Sequence, residues 1–431
     1  MKNKKITAIS SVLAIIALAG TIVSTTSASA SSTKKITLNY WTHVNPPTQA
    51  VEKKLIAQYV NRNPNVKINY LPVDFGSLPA KLNSSIAGGG GPDLFNYFQS
   101  YAPGLATKGY LAPVDFKAFG VSNKAKFGAR YTKPIADGYT WAGKVIGVPH
   151  EVSAFQFWIN NDQFKVAGLD PVANFPKTWA DVATYGSRIQ NAVGGSKEGI
   201  ALSLNSTVRD SLVFDSWARQ AGNGLFSNDG KTSYVNSPAA VRALQTWGDL
   251  VNVSKINDPS LGPTASTNAE DLFGSGTAAM VNVGGSWFQP TLAQTYPSIK
   301  YTVGQLPNFG INNIGADLYG FGLYVPITSK QKTEAWKFAR FLADNAGSYF
   351  TGAGVWLGDN KTLSSGATAK VANWSVFAQG FKRGYFLAQL VNYSQISQIL
   401  EDAIQRVVIN GVSAKDSLTQ AQTQIGPLLN K

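Results

Sequence analysis

The chain has 431 residues, no cysteine, only 14 % charged residues and a formal net charge of +14. Missing thiols exclude disulfides, cysteine nucleophiles, thiolate metal sites and the lipidated cysteine that tethers many surface proteins. Roughly 400 residues beyond any leader exceed what one hydrophobic core serves and predict two domains.

Lys2, Lys4 and Lys5 precede an apolar run from Ile6 to Val23 and the small residues Ala28-Ser29-Ala30, the order of a secretory signal peptide. At about 18 residues the run could also serve as an uncleaved membrane anchor. No later stretch of that length is apolar, so the remainder is expected outside the cytoplasm, whether secreted, attached to the cell surface or periplasmic. Setting aside those 3 leader lysines from 38 basic residues leaves 35 against 24 acidic ones, or +11. Such a balance fits an anionic cell wall, an anionic ligand or nucleic acid, and the secretion signal argues against the last. The low charge fraction, against roughly 25 % in ordinary domains, suggests adaptation to acid surroundings, where carboxylates contribute little to solubility.

Ile36, Leu38 and Tyr40 alternate with polar residues as in a strand, and Pro46-Pro47 opens a helix carrying Val51, Leu55, Tyr59 and Val60 on one side. Val66, Ile68 and Tyr70 alternate again, a helix is expected from Leu78 to Ala87, and Leu94-Phe95 begins a third strand. This order predicts a parallel sheet with right-handed crossovers, whose ligands sit beyond the carboxyl ends of the strands. The segments to watch are therefore Trp41 to Asn45, Val73 to Ser77 and Asn96 to Tyr101. Gly88 to Gly91 could suggest a phosphate cradle, but the run lacks a following Lys-Ser/Thr and enters a strand, so it reads as a helix stop. Pro259 to Asn268 reads as a surface loop.

Between Gly143 and Pro171 the chain reads GKVIGVPHEVSAFQFWINNDQFKVAGLDP. This stretch closely resembles the signature of the extracellular solute-binding proteins that serve ATP-driven sugar importers. Four further segments match that family in order: GGGGPDLFNYFQSYAPGLATKGYLAPVD ending at Asp115, DLFGSGTAAMVNVGGSW over 271–287, GFGLYVPITSKQKTEAWKFARFL over 320–342, and INGVSAKDSLTQAQTQI near the end. The resemblance implies a two-lobed α/β fold of the type II binding-protein kind, each lobe a mixed, mostly parallel sheet flanked by helices. It places one lobe at about 31–150 plus 320–368 and the other at about 151–319 plus 369–431, joined by hinge crossovers that close over ligand.

Sugar rings stack an apolar face on flat aromatic groups, while their hydroxyls need fixed donors and acceptors. Trp287 follows Gly284-Gly285-Ser286 where the family places a sugar-stacking tryptophan. Tyr97, Gln99 and Ser100 match an aromatic and polar pair of maltose-type members, but the acidic and basic partners of that pattern are absent, which argues against maltose itself. Trp41 and His43 end the first strand, and Glu151 and Ser153 follow Pro149 at the first crossover. Asp210 and Asp215 fall where the other lobe's strand-to-helix connection is expected, although helix capping explains either equally well. Tyr319 adjoins the second crossover, and Trp356 and Tyr393 complete the candidates. Gly320 and Gly322 suit a close ligand approach, a hinge bend or an ordinary turn.

A secreted hydrolase is the first rival. With two histidines, His43 and His150, no GxSxG and no HExxH, triads and zinc sites lack parts. A glycosidase pair such as Glu151 with Asp210 needs only to meet in space. The same fold also serves iron, polyamines, acidic sugars and sugar phosphates. The reading adopted is a non-enzymatic, monomeric capture subunit for a carbohydrate, with an oligosaccharide favoured by the number of aromatic candidates. It needs no metal or cofactor, binds no nucleic acid and delivers its ligand to membrane permease subunits.

Overall fold

The computed structural model describes residues 34–194, 197–204, 206–261, 268–311 and 315–430. The expected signal peptide lies outside these residues, and no helix among them is long and apolar enough to cross a membrane. The loop expected from Pro259 begins with a single 3-10 turn, Pro259–Leu261, and residues 262–267 also lie outside the described set.

Five elements follow one another as the spacing predicts: β1 (Ile36–His43), α1 (Pro46–Arg62), β2 (Val66–Val73), α2 (Leu78–Ala87) and β3 (Leu94–Phe98). The Asn45 side chain caps α1 by accepting from the Thr48 amide, and prolines fill the first positions, where an amide hydrogen has no helical partner. Val51, Leu55 and Tyr59 face inward, and Glu52 stands with them on the buried stripe, 0 % exposed. Gly89 and Gly91 take φ of +77° and +107° beyond α2, so the glycine run stops the helix and turns the chain into β3. β1 pairs in parallel with both β2 and β3, which brings the ends of all three strands to one edge.

Two long strands complete this sheet. Asp317–Tyr324 runs antiparallel to β3 and to Val148–Ala154, and parallel to Tyr385–Phe386. Both long strands pass from one buried core to another: Val148, Val152, Leu323 and Tyr324 belong to the first, while Phe155, Tyr319 and Phe321 belong to the second. Gly320 and Gly322 turn toward Tyr139, not toward open space. A Cβ on Gly320 would lie 2.7 Å from the Tyr139 hydroxyl, and one on Gly322 would lie 2.6 Å from the Tyr139 ring. That hydroxyl donates to the Phe321 carbonyl at 2.8 Å, locking the ring against the strand.

The second core carries its own mixed sheet. Phe157–Asn160 pairs antiparallel with Met280–Val281 and Tyr301–Gly304, and Ala201 bridges Val281 in parallel. Trp179, Trp217 and Trp247 stack in its interior with ring centres 3.7 and 5.2 Å apart.

Candidate functional site: an aromatic cavity between two cores

A cavity of about 310 Å³ opens at the carboxyl edge of β1, β2 and β3. His43, Val44 and Asn45 enter it from the end of β1, Phe75 from the loop after β2, and Phe98 from the end of β3. The crossover strands contribute Glu151, Phe155, Tyr319 and Phe321, and the other lobe contributes Ser206, Arg209 and Leu212 at the helix Thr207–Ala221 together with Trp287. Trp287 packs against both cores.

The walls are aromatic. Phe321 stacks on the His43 ring at 4.0 Å and lies edge-on to Phe75 at 5.7 Å. Phe155 packs against Tyr319 at 4.6 Å, and the Trp287 indole N–H donates to the Tyr319 hydroxyl at 2.5 Å. This bond orients the indole. Gly285 beside it has no room for a side chain, since a Cβ there would fall 1.8 Å from Ser153 Oγ.

The polar groups are few and mostly neutral. Burial, with the nearby Glu52 carboxyl, pushes the Glu151 carboxyl up to about 8, and burial lowers His43 to about 4 although its bond to Asn96 opposes this. Near neutral pH both therefore stand uncharged, 3.7 Å apart between Nε2 and Oε2. Among the described residues Glu151 Oε2 has no hydrogen-bond partner. Arg209 is held by Glu270 through two contacts of 3.0 and 2.9 Å, so its charge is compensated.

Of the thirteen candidate residues, His43, Glu151, Trp287 and Tyr319 line this cavity. Ser153 lies behind Gly285. Tyr97 points into the first core against Phe95 and Tyr101. Gln99 donates to the Gly138 carbonyl and receives the Ser100 hydroxyl, on a different groove. Trp41 lies half-buried beneath the Lys81 ammonium. Asp210 accepts from the Ser206 amide as a cap and is buried beside Glu401, while Asp215 holds Arg219 and the Leu225 amide. Trp356 donates to the Asp359 carbonyl, and the Tyr393 hydroxyl meets Ser211. Phe75 and Arg209 had no motif to mark them; Phe98, Phe155 and Phe321 lie inside the quoted family segments but were not singled out, although Phe75 and Phe98 also fall within strand-end segments the sheet topology singles out.

Two lobes sharing paired strands, with an aromatic cavity at their common edge, define a solute-binding protein of the type II fold. The sequence pattern of the bacterial extracellular solute-binding proteins matches residues 45–349, and the chain belongs to that family. A putative binding protein of Brucella abortus is 23 % identical over 97 % of both chains. The solute-binding protein of an ABC transporter from Thermotoga lettingae, solved with α-D-tagatose, superposes with a TM-score of 0.81 at 21 % identity, covering 92 % of this chain and 100 % of that one. A substrate-binding protein of Listeria monocytogenes solved with cycloalternan gives 0.79 at 21 % identity, over 91 % and 99 %.

Proposed function

We propose that this protein captures a carbohydrate, an oligosaccharide by preference, and delivers it to the membrane permease of an ABC-type importer without altering it. The carrying observation is the cavity itself: a lining rich in aromatic side chains, with an uncharged carboxyl and imidazole among them. That combination suits a polyhydroxylated ring, whose faces are apolar and whose hydroxyls both donate and accept. The sugars bound by the Thermotoga and Listeria proteins support this reading.

Charge distribution favours a neutral ligand. Glu270 compensates the cavity's arginine, and among the described residues no lysine lines it, so the surface excess of basic groups does not extend into this lining. Among the described residues Glu151 is the one acidic side chain on its wall, so a two-carboxylate glycosidase would lack its second group there. A volume near 310 Å³ lies at the low end of small-molecule sites, about 300–1,000 Å³, so only a part of an oligosaccharide would be enclosed.

In this reading the protein acts outside the cytoplasm as a monomer. Its lobes are residues 31–150 with 320–368, and 151–319 with 369–431, and they close as ligand binds the closed form more tightly than the open one. A thermal-shift screen of the purified chain against mono- and oligosaccharides, sugar acids, polyamines and ferric citrate tests it, because a ligand of the folded state raises the midpoint by mass action. A shift from sugars is expected. Silence from every sugar, with a shift from another solute, would overturn the ligand class.

A further inference from the structure

A chain of buried side chains runs from the cavity into the first core. His43 Nδ1–H donates to Asn96 Oδ1 at 2.8 Å, and Asn96 Nδ2–H donates to His150 Nδ1 at 2.9 Å. His150 therefore carries its proton on Nε2, which faces Glu52 Oε1 at 3.5 Å. The Glu52 carboxyl receives the Tyr40 and Tyr70 hydroxyls, each at 2.6 Å, one on either oxygen. Tyr349 approaches from the helix Ala346–Ala353 and sets its ring edge-on to His150 at 4.9 Å.

From His43 through Asn96 to His150 the hydrogen bonds share one direction; His150 Nε2 then faces Glu52 across a polar contact of 3.5 Å that is not a hydrogen bond, while both tyrosines donate into the carboxyl from the far side. An amide can accept only through its oxygen and donate only through its nitrogen, so Asn96 couples the two rings: fixing one tautomer fixes the other. The Asn96 amide fixes the His150 tautomer, and the tyrosine hydroxyls hold the Glu52 carboxyl in place with Oε1 facing the resulting N–H. The same amide leaves His43 Nε2 with a lone pair, 3.7 Å from Glu151 Oε2.

We propose that the Tyr40–Tyr70–Glu52 cluster positions His43 as a hydrogen-bond acceptor for a donor hydroxyl of the bound ligand. The inference deepens the carbohydrate reading and rests on it for the nature of the donor. Glu52 and Asn96 are positioning residues in this scheme, since neither lines the cavity. The uncharged Glu151 carboxyl, 3.7 Å away and with no other partner on Oε2 among the described residues, is the protein's own donor toward this lone pair; a ligand hydroxyl that reaches His43 Nε2 takes its place, which an ether oxygen cannot do.

The test needs no ligand, so its failure is separate from failure of the sugar assignment. The chain contains two histidines in all, so nitrogen-15 labelling at histidine yields two imidazoles to assign. At neutral pH the spectrum of the full chain is expected to show His43 protonated on Nδ1 and His150 on Nε2. His43 protonated on Nε2, or averaging between tautomers, would overturn the proposal. Glu52→Gln offers an amide hydrogen to His150 Nε2 and is expected to reverse both tautomers. A folded Glu52→Gln variant with unchanged tautomers would also overturn it, and if that variant does not fold, the wild-type spectrum alone decides.

Discussion

Trp287 and Tyr319 come from distant parts of the chain and meet through one hydrogen bond, indole N–H to phenol oxygen, on the wall of the cavity. Truncating Trp287 to alanine removes the largest flat surface there. Binding of the sugar found by thermal shift is expected to weaken by about 1.5–3 kcal/mol, as measured by calorimetric titration, with the fold of the free protein retained. Unchanged affinity would remove Trp287 from the binding surface.

Gly285→Ala tests the packing behind that tryptophan. Its Cβ would enter the space of Ser153 Oγ and also approach the Ala154 carbonyl at 3.2 Å. Overpacking of this kind costs about 1–3 kcal/mol, to be read from urea unfolding. A variant as stable as the parent would show that the Ser153 side chain can move away freely.

Stability is expected to rise as pH falls from 8 toward 5. Burial raises Glu52 to about 7, Glu198 to about 7, Glu151 to about 8 and Glu401 to about 10, and raises Asp210 and Asp317 as well. Each folded-state value lies above the unfolded one, so between them the native state holds more protons. The stabilisation is present below the unfolded values and is lost as pH rises through the folded ones. His43 and His150, lowered to about 4 and about 3, act oppositely, but only below about pH 6.5, where the unfolded chain begins to protonate them. Thermal midpoints at pH 5, 6.5 and 8 check the sign. A profile that peaks near neutrality and collapses by pH 4 would contradict the acid adaptation suggested by the sparse surface charge.

Sugar affinity is expected to change less than about twofold between low and high salt. Arg209, the one arginine on the cavity wall among the described residues, is already paired with Glu270, and screening acts on uncompensated charge. Titrations at two ionic strengths measure this, and a steep loss with salt would indicate an anionic ligand.

The first lobe was largely legible because its strands and helices alternate with clear periods and glycines mark their ends. Individual site residues were less so. β3 is buried along its whole length, LFNYF, so no polar alternation shows which side chains face the cavity. Tyr97 was expected there, yet its neighbour Phe98 occupies that wall. The helix Thr207–Ala221 poses the same problem, being buried on most sides, and it turns Arg209 to the cavity while Asp210 goes inward. Glu52 gives the opposite lesson. It sits in register with Thr48, Leu55 and Tyr59, so a carboxylate in an apolar stripe was visible in the sequence as a signal of a buried network.

The paired crossover strands also set the mechanics of closure. Leu318 to Leu323 are laddered to Ala154 to Val148, and at Tyr319 and Gly320 this pair forms a two-stranded ribbon, since β3 joins only from Phe321 and Tyr385–Phe386 pairs no further than Leu318. Such a ribbon twists and bends out of its plane without breaking hydrogen bonds, whereas sliding one strand along the other would break them. In the closure proposed above, lobe motion is thereby confined to a narrow set of rotations. Tyr139, wedged against Gly320 and Gly322 and bonded to the Phe321 carbonyl, stiffens the ribbon from the side facing away from ligand. In the closure proposed above, position 139 would act as a spring constant for the trap, through which affinity can be tuned without altering an atom of the binding surface.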